Sequence, residues 1–132
     1  MDRLRERLES ARRALASLEE LATLTPPSKV ERDAAIQRFE YTCEAMWKAI
    51  QLGLRQEEGL SAASPKAITR AARQAKLLDD DATRLALAMV DDRNQTVHTY
   101  NEAVADAIYT RLASYVPLLR AWLVGANRWI AS

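Results

Sequence analysis

One histidine and one cysteine are all that 132 residues offer of the usual zinc ligands. His98 and Cys43 cannot between them build a zinc site, which needs three or four such groups converging. A lone cysteine also excludes an internal disulfide and fits a reducing compartment. Three scattered glycines leave no glycine-rich phosphate loop, and no Ser-His-Asp spacing points to a nucleophilic triad. Neither a metal nor a cofactor is expected. Aromatic residues make up only 6% of the chain, which argues against a sheet protein. Neither sign of charge dominates, with 19 Lys+Arg against 18 Asp+Glu. A net charge of +1 gives no general pull toward nucleic acid or anionic membrane, so such binding would need a local patch. No apolar run approaches the roughly 18 residues of a membrane span. The opening Met1-Asp2-Arg3-Leu4-Arg5-Glu6 lacks the apolar centre of a secretion signal. A soluble, cytoplasmic protein without a membrane partner is expected.

What remains is helix. Leu4, Leu8, Ala11, Leu15, Leu18 and Ala22 recur at steps of three or four, one face of an amphipathic helix over residues 2–23. Thr25-Pro26-Pro27 stops it. Ser28 and Glu31 form a capping box for a second helix carrying Ile36, Phe39, Cys43, Met46, Trp47, Ile50 and Leu54, with Gly59 as its stop. Ser64-Pro65 starts a short helix with Ile68, Ala72 and Ala75 inward and Leu78 a further candidate. Asp79-Asp80-Asp81 offers carboxylates to the next helix, which carries Leu85, Met89 and Val90 and reaches Arg93. Asn101-Glu102 opens the last, with Val104, Ile108, Leu112, Tyr115, Val116 and Leu119 inward, and Pro117 should bend or divide it. The economical architecture is all-α: an up-and-down bundle of four main helices with one short additional helix, a single domain over 1–132. Residues 117–132 form an apolar extension, too rich in tryptophan for a free tail, that should dock on the bundle, a second copy or a partner.

Chemistry concentrates in Arg93-Asn94-Gln95-Thr96-Val97-His98-Thr99-Tyr100. Five residues apart, Arg93 and His98 would stand about 140° around an unbroken helix and share no face. Thr96, Thr99 and Asn101 are turn- and cap-forming residues, so a break there could turn His98 back beside Arg93. A guanidinium and an imidazole at a helix junction suit a phosphate, one holding two oxygens and the other moving a proton. The plainer alternative is a histidine capping a helix end and an arginine paired with a carboxylate. Glu40 and Glu44 could supply that pairing or be ordinary surface charges. Lys66, Arg70 and Arg73 stripe the short helix as a weak candidate for RNA-backbone contact, or as a solvated face. Tyr100 reads by itself as half-buried packing with its hydroxyl at the surface.

These residues also carry a family likeness. Arg93-x4-His98-x-Tyr100 resembles the R-x4-H-x-Y signature of HEPN-domain proteins of the HepT type, the toxin partners of minimal nucleotidyltransferase (MNT) antitoxins. Residues 38–48, RFEYTCEAMWK, resemble the family's second helix, usually RFEYTxELxWK. Ser64-Pro65-Lys66 followed by Ala67-Ile68 resembles its short-helix start, and residues 92–102 resemble its DRNxTxHTYxE core. The likeness covers roughly residues 5–115. Cys43 departs from it at a packing position, and the end past Pro117 stands outside it.

The resemblance implies a helical bundle that dimerises and acts as a metal-independent endoribonuclease. Arg93 would bind and polarise the scissile phosphate, and His98 would act as general acid or base. Asn94 would keep the site polar, with Glu40 supporting it. Tyr100 matches the tyrosine that an MNT partner adenylylates, which silences the toxin. Cleavage through the 2′-hydroxyl needs one group to take a proton and another to give one. With a single histidine per chain, that chemistry asks for a homodimer joining two copies of the segment. Two alternatives from other classes are a non-catalytic substrate-binding subunit of a two-component nucleotidyltransferase and a structural helical module.

Overall fold

The computed structural model describes residues 2–131. Five α-helices follow one another: α1 Arg3–Glu19, α2 Lys29–Glu58, α3 Pro65–Gln74, α4 Asp80–Gln95 and α5 Glu102–Ala126. Short 3₁₀ turns cover Thr96–His98 and Asn127–Trp129. No strand occurs among the described residues, and none of their helices is long and apolar enough to cross a membrane. The four long helices and the short α3 are the bundle that the sequence pattern predicts.

The start signals act as expected. Ser28 Oγ accepts from Glu31 N–H at 3.0 Å while Glu31 Oε1 accepts from Ser28 N–H at 2.8 Å, closing the capping box. Ser64, Asp79 and Asn101 cap α3, α4 and α5 through their side chains. Gly59 ends α2 in the left-handed conformation, φ 68°. α1 and α2 pack on each other and on α5, and the α3–α4 pair leans on α2 and α5. Leu8, Leu18, Phe39, Met46, Ile50, Ile108, Leu112 and Trp122 meet inside with no measurable exposure. The faces read from periodicity are therefore the faces that are buried.

Three local outcomes differ from the periodic pattern. α1 ends at Glu19, four residues short of 23, although Ala22 stays buried. The Tyr109 hydroxyl donates to the Leu21 carbonyl and accepts from Leu24 N–H at 2.9 Å, so a side chain from α5 holds this corner. Pro117 does not divide α5, which is helical from Glu102 to Ala126. The carbonyl left unserved belongs to Ala113, an exposed residue that water can satisfy, and Tyr115, Val116, Leu118 and Leu119 are buried around the proline. Finally, Arg32 is buried at 6% exposure near the start of α2. Its guanidinium meets Asp33, Glu102 Oε2 and Asp106 Oδ1 at 2.8–2.9 Å, which raises its pKa and ties the start of α5 to α2.

Of the three docking choices for the apolar end, the bundle itself is the one realised. Trp122 is fully enclosed, and Trp129 lies on α2 where Gly53 leaves room. A Cβ at Gly53 would stand 2.1 Å from Trp129 Cε3 and Cζ3. The Trp129 indole N–H and Arg128 Nη2 both donate to Glu58 Oε2 at 2.7 Å, and Arg5 Nη2 donates to the Ile130 carbonyl at 2.9 Å.

Gly53→Ala should therefore displace Trp129 and lower stability by about 1–3 kcal/mol, read from urea denaturation. Wild-type stability in that variant would mean that Trp129 has another place to go. The same contacts hold Glu58 below its ordinary pKa of 4.5, first through the Trp129 bond and then through Arg128. A depressed folded pKa stabilises fully above the ordinary value and stops doing so as pH falls through the folded one. The stability gap between wild type and Glu58→Gln should thus be widest near neutral pH and close in acid, below about pH 4.

Candidate functional site

α4 stops at Gln95, the 3₁₀ turn carries the chain over Thr96–His98, and Asn101 restarts the helix by accepting from Ala103 and Val104 N–H at 2.9 and 3.4 Å. The helix break falls between Arg93 and His98, where the turn-forming residues predict it. Thr99 Oγ1 donates back to the Thr96 carbonyl at 3.1 Å and Asn101 N–H to the His98 carbonyl at 3.0 Å, which closes the turn.

Arg93 faces inward from the last turn of α4, its side chain 24% exposed. Nη1 donates to Thr96 Oγ1 at 3.0 Å. Thr96, itself buried, lies 2.7 Å from Glu40 Oε2, to which its hydroxyl donates, and equally close to the Arg93 carbonyl. The guanidinium is also ion-paired with both α2 carboxylates: Nη1 to Glu40 Oε2 at 3.6 Å and Nη2 to Glu44 Oε1 at 3.5 Å. Those separations exceed ordinary hydrogen-bond range, so among the described residues the close partner of the fork is Thr96. Nε is buried without an acceptor among the described residues.

His98 and Tyr100 point the other way. Both are exposed, Tyr100 at 84%, and their rings meet edge to face with centroids 6.0 Å apart and planes at 76°. Among the described residues no hydrogen bond or ion pair joins His98 to Arg93, so the turn does not bring the two into contact within one chain. Tyr100 is far more exposed than the half-buried packing role read from its position alone. Asn94 is exposed on α4. In the short-helix stripe, Lys66 pairs with Asp91 at 2.8 Å and Arg73 with Asp80, while Arg70 is exposed. Two of those three cations already have a carboxylate, which weakens the stripe as a phosphate track. No group of three or more His, Cys, Asp or Glu among the described residues could hold a metal ion. Cys43 is fully buried, and burial pushes its thiol pKa up, away from reactivity.

Behind this surface lies an anchor that periodicity does not reveal. Asp92, buried next to Arg93, accepts from Arg111 Nε and Nη2 at 2.7 Å each and from the Tyr115 hydroxyl. Tyr115 stacks on Phe39 at 5.7 Å, so α4, α5 and α2 meet at one point one residue from the guanidinium. Desolvation, followed by the bond to Asp92, raises the Tyr115 pKa and keeps the phenol protonated as a donor. Thr96, Glu44 and Asp92 are the residues whose roles the sequence reading missed or left open.

A family model described as "Nucleotidyltransferase substrate binding protein like" matches residues 6–127. The chain belongs to this family. The match passes Pro117, so most of the tryptophan-bearing end lies inside the family and not beyond it. Among solved structures, a protein from Thermus thermophilus is 59% identical with a TM-score of 0.86, over 88% of this chain and 98% of its own. A Haemophilus influenzae protein, described as having the fold of a substrate binding domain of a nucleotidyltransferase, shares 24% identity and a TM-score of 0.73 over 91% of this chain and 98% of its own. A tri-AMPylated HEPN toxin from Shewanella oneidensis, in complex with its MNT antitoxin, shares 16% identity and a TM-score of 0.77 over 97% and 98%. At those last two identities the likeness speaks for the fold alone, and the fold is the all-helical one of HEPN proteins. No curated protein sequence matches the chain. The resemblance to HepT-type HEPN proteins is borne out in family and fold.

Asp92→Ala should cost about 1–3 kcal/mol, because it leaves the buried Tyr115 hydroxyl without its acceptor and frees α4 from Arg111. Tyr115→Phe, which keeps the stack on Phe39, should cost less, about 1 kcal/mol. Thermal denaturation ranks the two, and the opposite order would remove Asp92 from its anchoring role.

Proposed function

We propose that this family member is a HEPN-type toxin: a metal-independent endoribonuclease that works as a homodimer and is neutralised by a cognate MNT-type nucleotidyltransferase. The observation that carries the reading is the split at the 93–100 turn. A partly buried guanidinium is bracketed by Thr96 and the α2 carboxylates while an imidazole and a phenol stand beside each other at the surface. A positioned cation and an accessible proton carrier are what phosphate cleavage asks for.

In this reading the two copies of the segment line one cleft. His98 of one copy takes the proton from a ribose 2′-hydroxyl, and that oxygen attacks the neighbouring phosphorus. The bond to the 5′-oxygen breaks, and the second copy's protonated His98 returns a proton to it. Arg93 neutralises the charge gathering on the phosphoryl oxygens. Asn94, exposed on the same helix end, keeps the approach polar. Tyr100, exposed and in contact with the imidazole, is the acceptor for adenylate from the partner. Adenylylation adds negative charge and bulk beside His98 and opposes entry of RNA phosphate. A contribution of Lys66, Arg70 and Arg73 to RNA binding is the weakest element, since Asp91 and Asp80 already occupy two of the three.

One observation favours a second reading, a non-catalytic substrate-binding subunit of a two-component nucleotidyltransferase. Two carboxylates already compensate Arg93, a state suited to orienting a target without acting on it.

Expression without the partner should arrest growth, and co-expression should relieve it. His98→Ala and Arg93→Ala should each abolish the arrest and lower RNA cleavage by about 10²-fold or more while remaining folded. A folded His98→Ala protein of full toxicity would remove His98 from the mechanism. A harmless wild type with intact partner binding would leave the subunit reading. Incubation with the partner and ATP should add adenylate to Tyr100 by mass spectrometry, and modification elsewhere would contradict the assignment.

A further inference from the structure

The α2 carboxylates around Arg93 differ in how they are held. Glu40 receives the Thr96 hydroxyl at 2.7 Å and is 33% exposed, so it is fixed to the same threonine that accepts from Arg93 Nη1. Glu44 approaches Nη2 at 3.5 Å, is 51% exposed, and has no hydrogen bond among the described residues to hold it there. The guanidinium thus has one end fastened by Thr96 and Glu40. Its other end is covered by a loose carboxylate that occupies the position an incoming anion would need.

We infer that Glu44 is a displaceable counter-ion, which the RNA phosphate replaces on Arg93 Nη2, and that Thr96 with Glu40 is the fixed bracket that aims the guanidinium. The inference rests on the reading that Arg93 binds the scissile phosphate. Charge and geometry both support it. A phosphate oxygen at charge-assisted hydrogen-bond distance, about 2.7–2.9 Å, outcompetes a carboxylate at 3.5 Å that makes no such bond. While Glu44 stays close, an incoming phosphate would add a further negative charge to a cation that Glu40 and Glu44 already share. Glu44 then swings into solvent, for which its exposure leaves room. Thr96 cannot follow, being buried and bonded on both sides. Without ligand, the bracket and the counter-ion together keep a cation compensated near the surface, so the free protein does not hold stray anions at this position.

The two roles predict opposite kinetic signatures. Glu44→Gln removes the competing charge, so it should tighten binding and lower KM by about two- to fivefold with kcat little changed. Thr96→Val removes the hydroxyl but keeps the shape. It should lower kcat by about tenfold or more with KM nearly unchanged, and Thr96→Ser should restore activity. Cleavage would be measured on a single-stranded RNA pool of randomised sequence. Binding would be measured by fluorescence anisotropy on the same pool with 2′-O-methyl groups, which cannot be cut through the 2′-oxygen. Circular dichroism would first establish wild-type helicity for each variant, and a Thr96→Val that fails to fold leaves Thr96→Ser and Glu44→Gln to decide. Unchanged or weakened binding by Glu44→Gln overturns the counter-ion role. An unchanged kcat in Thr96→Val, or no recovery in Thr96→Ser, overturns the bracket. A wild type that neither binds nor cuts the pool sinks the nuclease reading and this inference with it. One that binds without cutting sinks only the nuclease, and Glu44→Gln still decides the counter-ion.

Discussion

Asp92 lies almost out of reach of water, and a polar group so placed costs stability unless it is hydrogen-bonded on several sides. Here the guanidinium fork of Arg111 takes both oxygens, and Tyr115 donates to one of them while stacking on Phe39. Three helices are thereby fixed to one another at the end of α4. Arg93, the next residue, inherits its direction from that arrangement and faces the carboxylates of α2. At the far side of the turn, Arg32 does a similar service, joining the start of α2 to Glu102 and Asp106 on α5. The 93–101 segment is suspended between these two ion clusters, each built on one buried charge, which explains how a turn can be surface-exposed and still held in place.

The sequence is legible where a residue's role depends on its near neighbours. Caps at Ser28, Ser64, Asp79 and Asn101, the stop at Gly59 and the break after Gln95 are all local matters of backbone donors and acceptors. So are the buried faces, since a helical period fixes which side chains point together. The undivided helix at Pro117 and the early end of α1 depart from the local signals for one shared reason. Each is decided by distant packing, burial around the proline in one case and the Tyr109 hydroxyl in the other. At the site the division is the same. Arg93, His98 and Tyr100 stand out by composition and by family likeness, and Glu40 as a candidate partner. Thr96 was readable as a turn residue but not as the link between Arg93 and Glu40, because its partner lies 56 positions away. Asp92 with Tyr115, 23 positions apart, is hidden for the same cause.

The arrangement also separates what is kept dry from what is kept wet. Arg93 is partly desolvated, which strengthens every electrostatic contact it makes. His98 stands in solvent. A site that combines both on one short turn needs the turn to cross from interior to surface within five residues, and the 3₁₀ geometry of Thr96–His98 accomplishes that.

The contact of Trp129 with Gly53 carries a consequence for how the molecule comes together. Its two residues are distant along the chain, so the contact closes a long loop and adds a non-local component to the fold. α1 and α2 can form their hairpin early, from neighbouring sequence. The patch of α2 around Gly53 then stays uncovered until the last helix has formed and turned back over it. Loop-closure entropy opposes that contact more than it opposes the α1–α2 hairpin, and until it is made the α2 patch lacks its apolar cover.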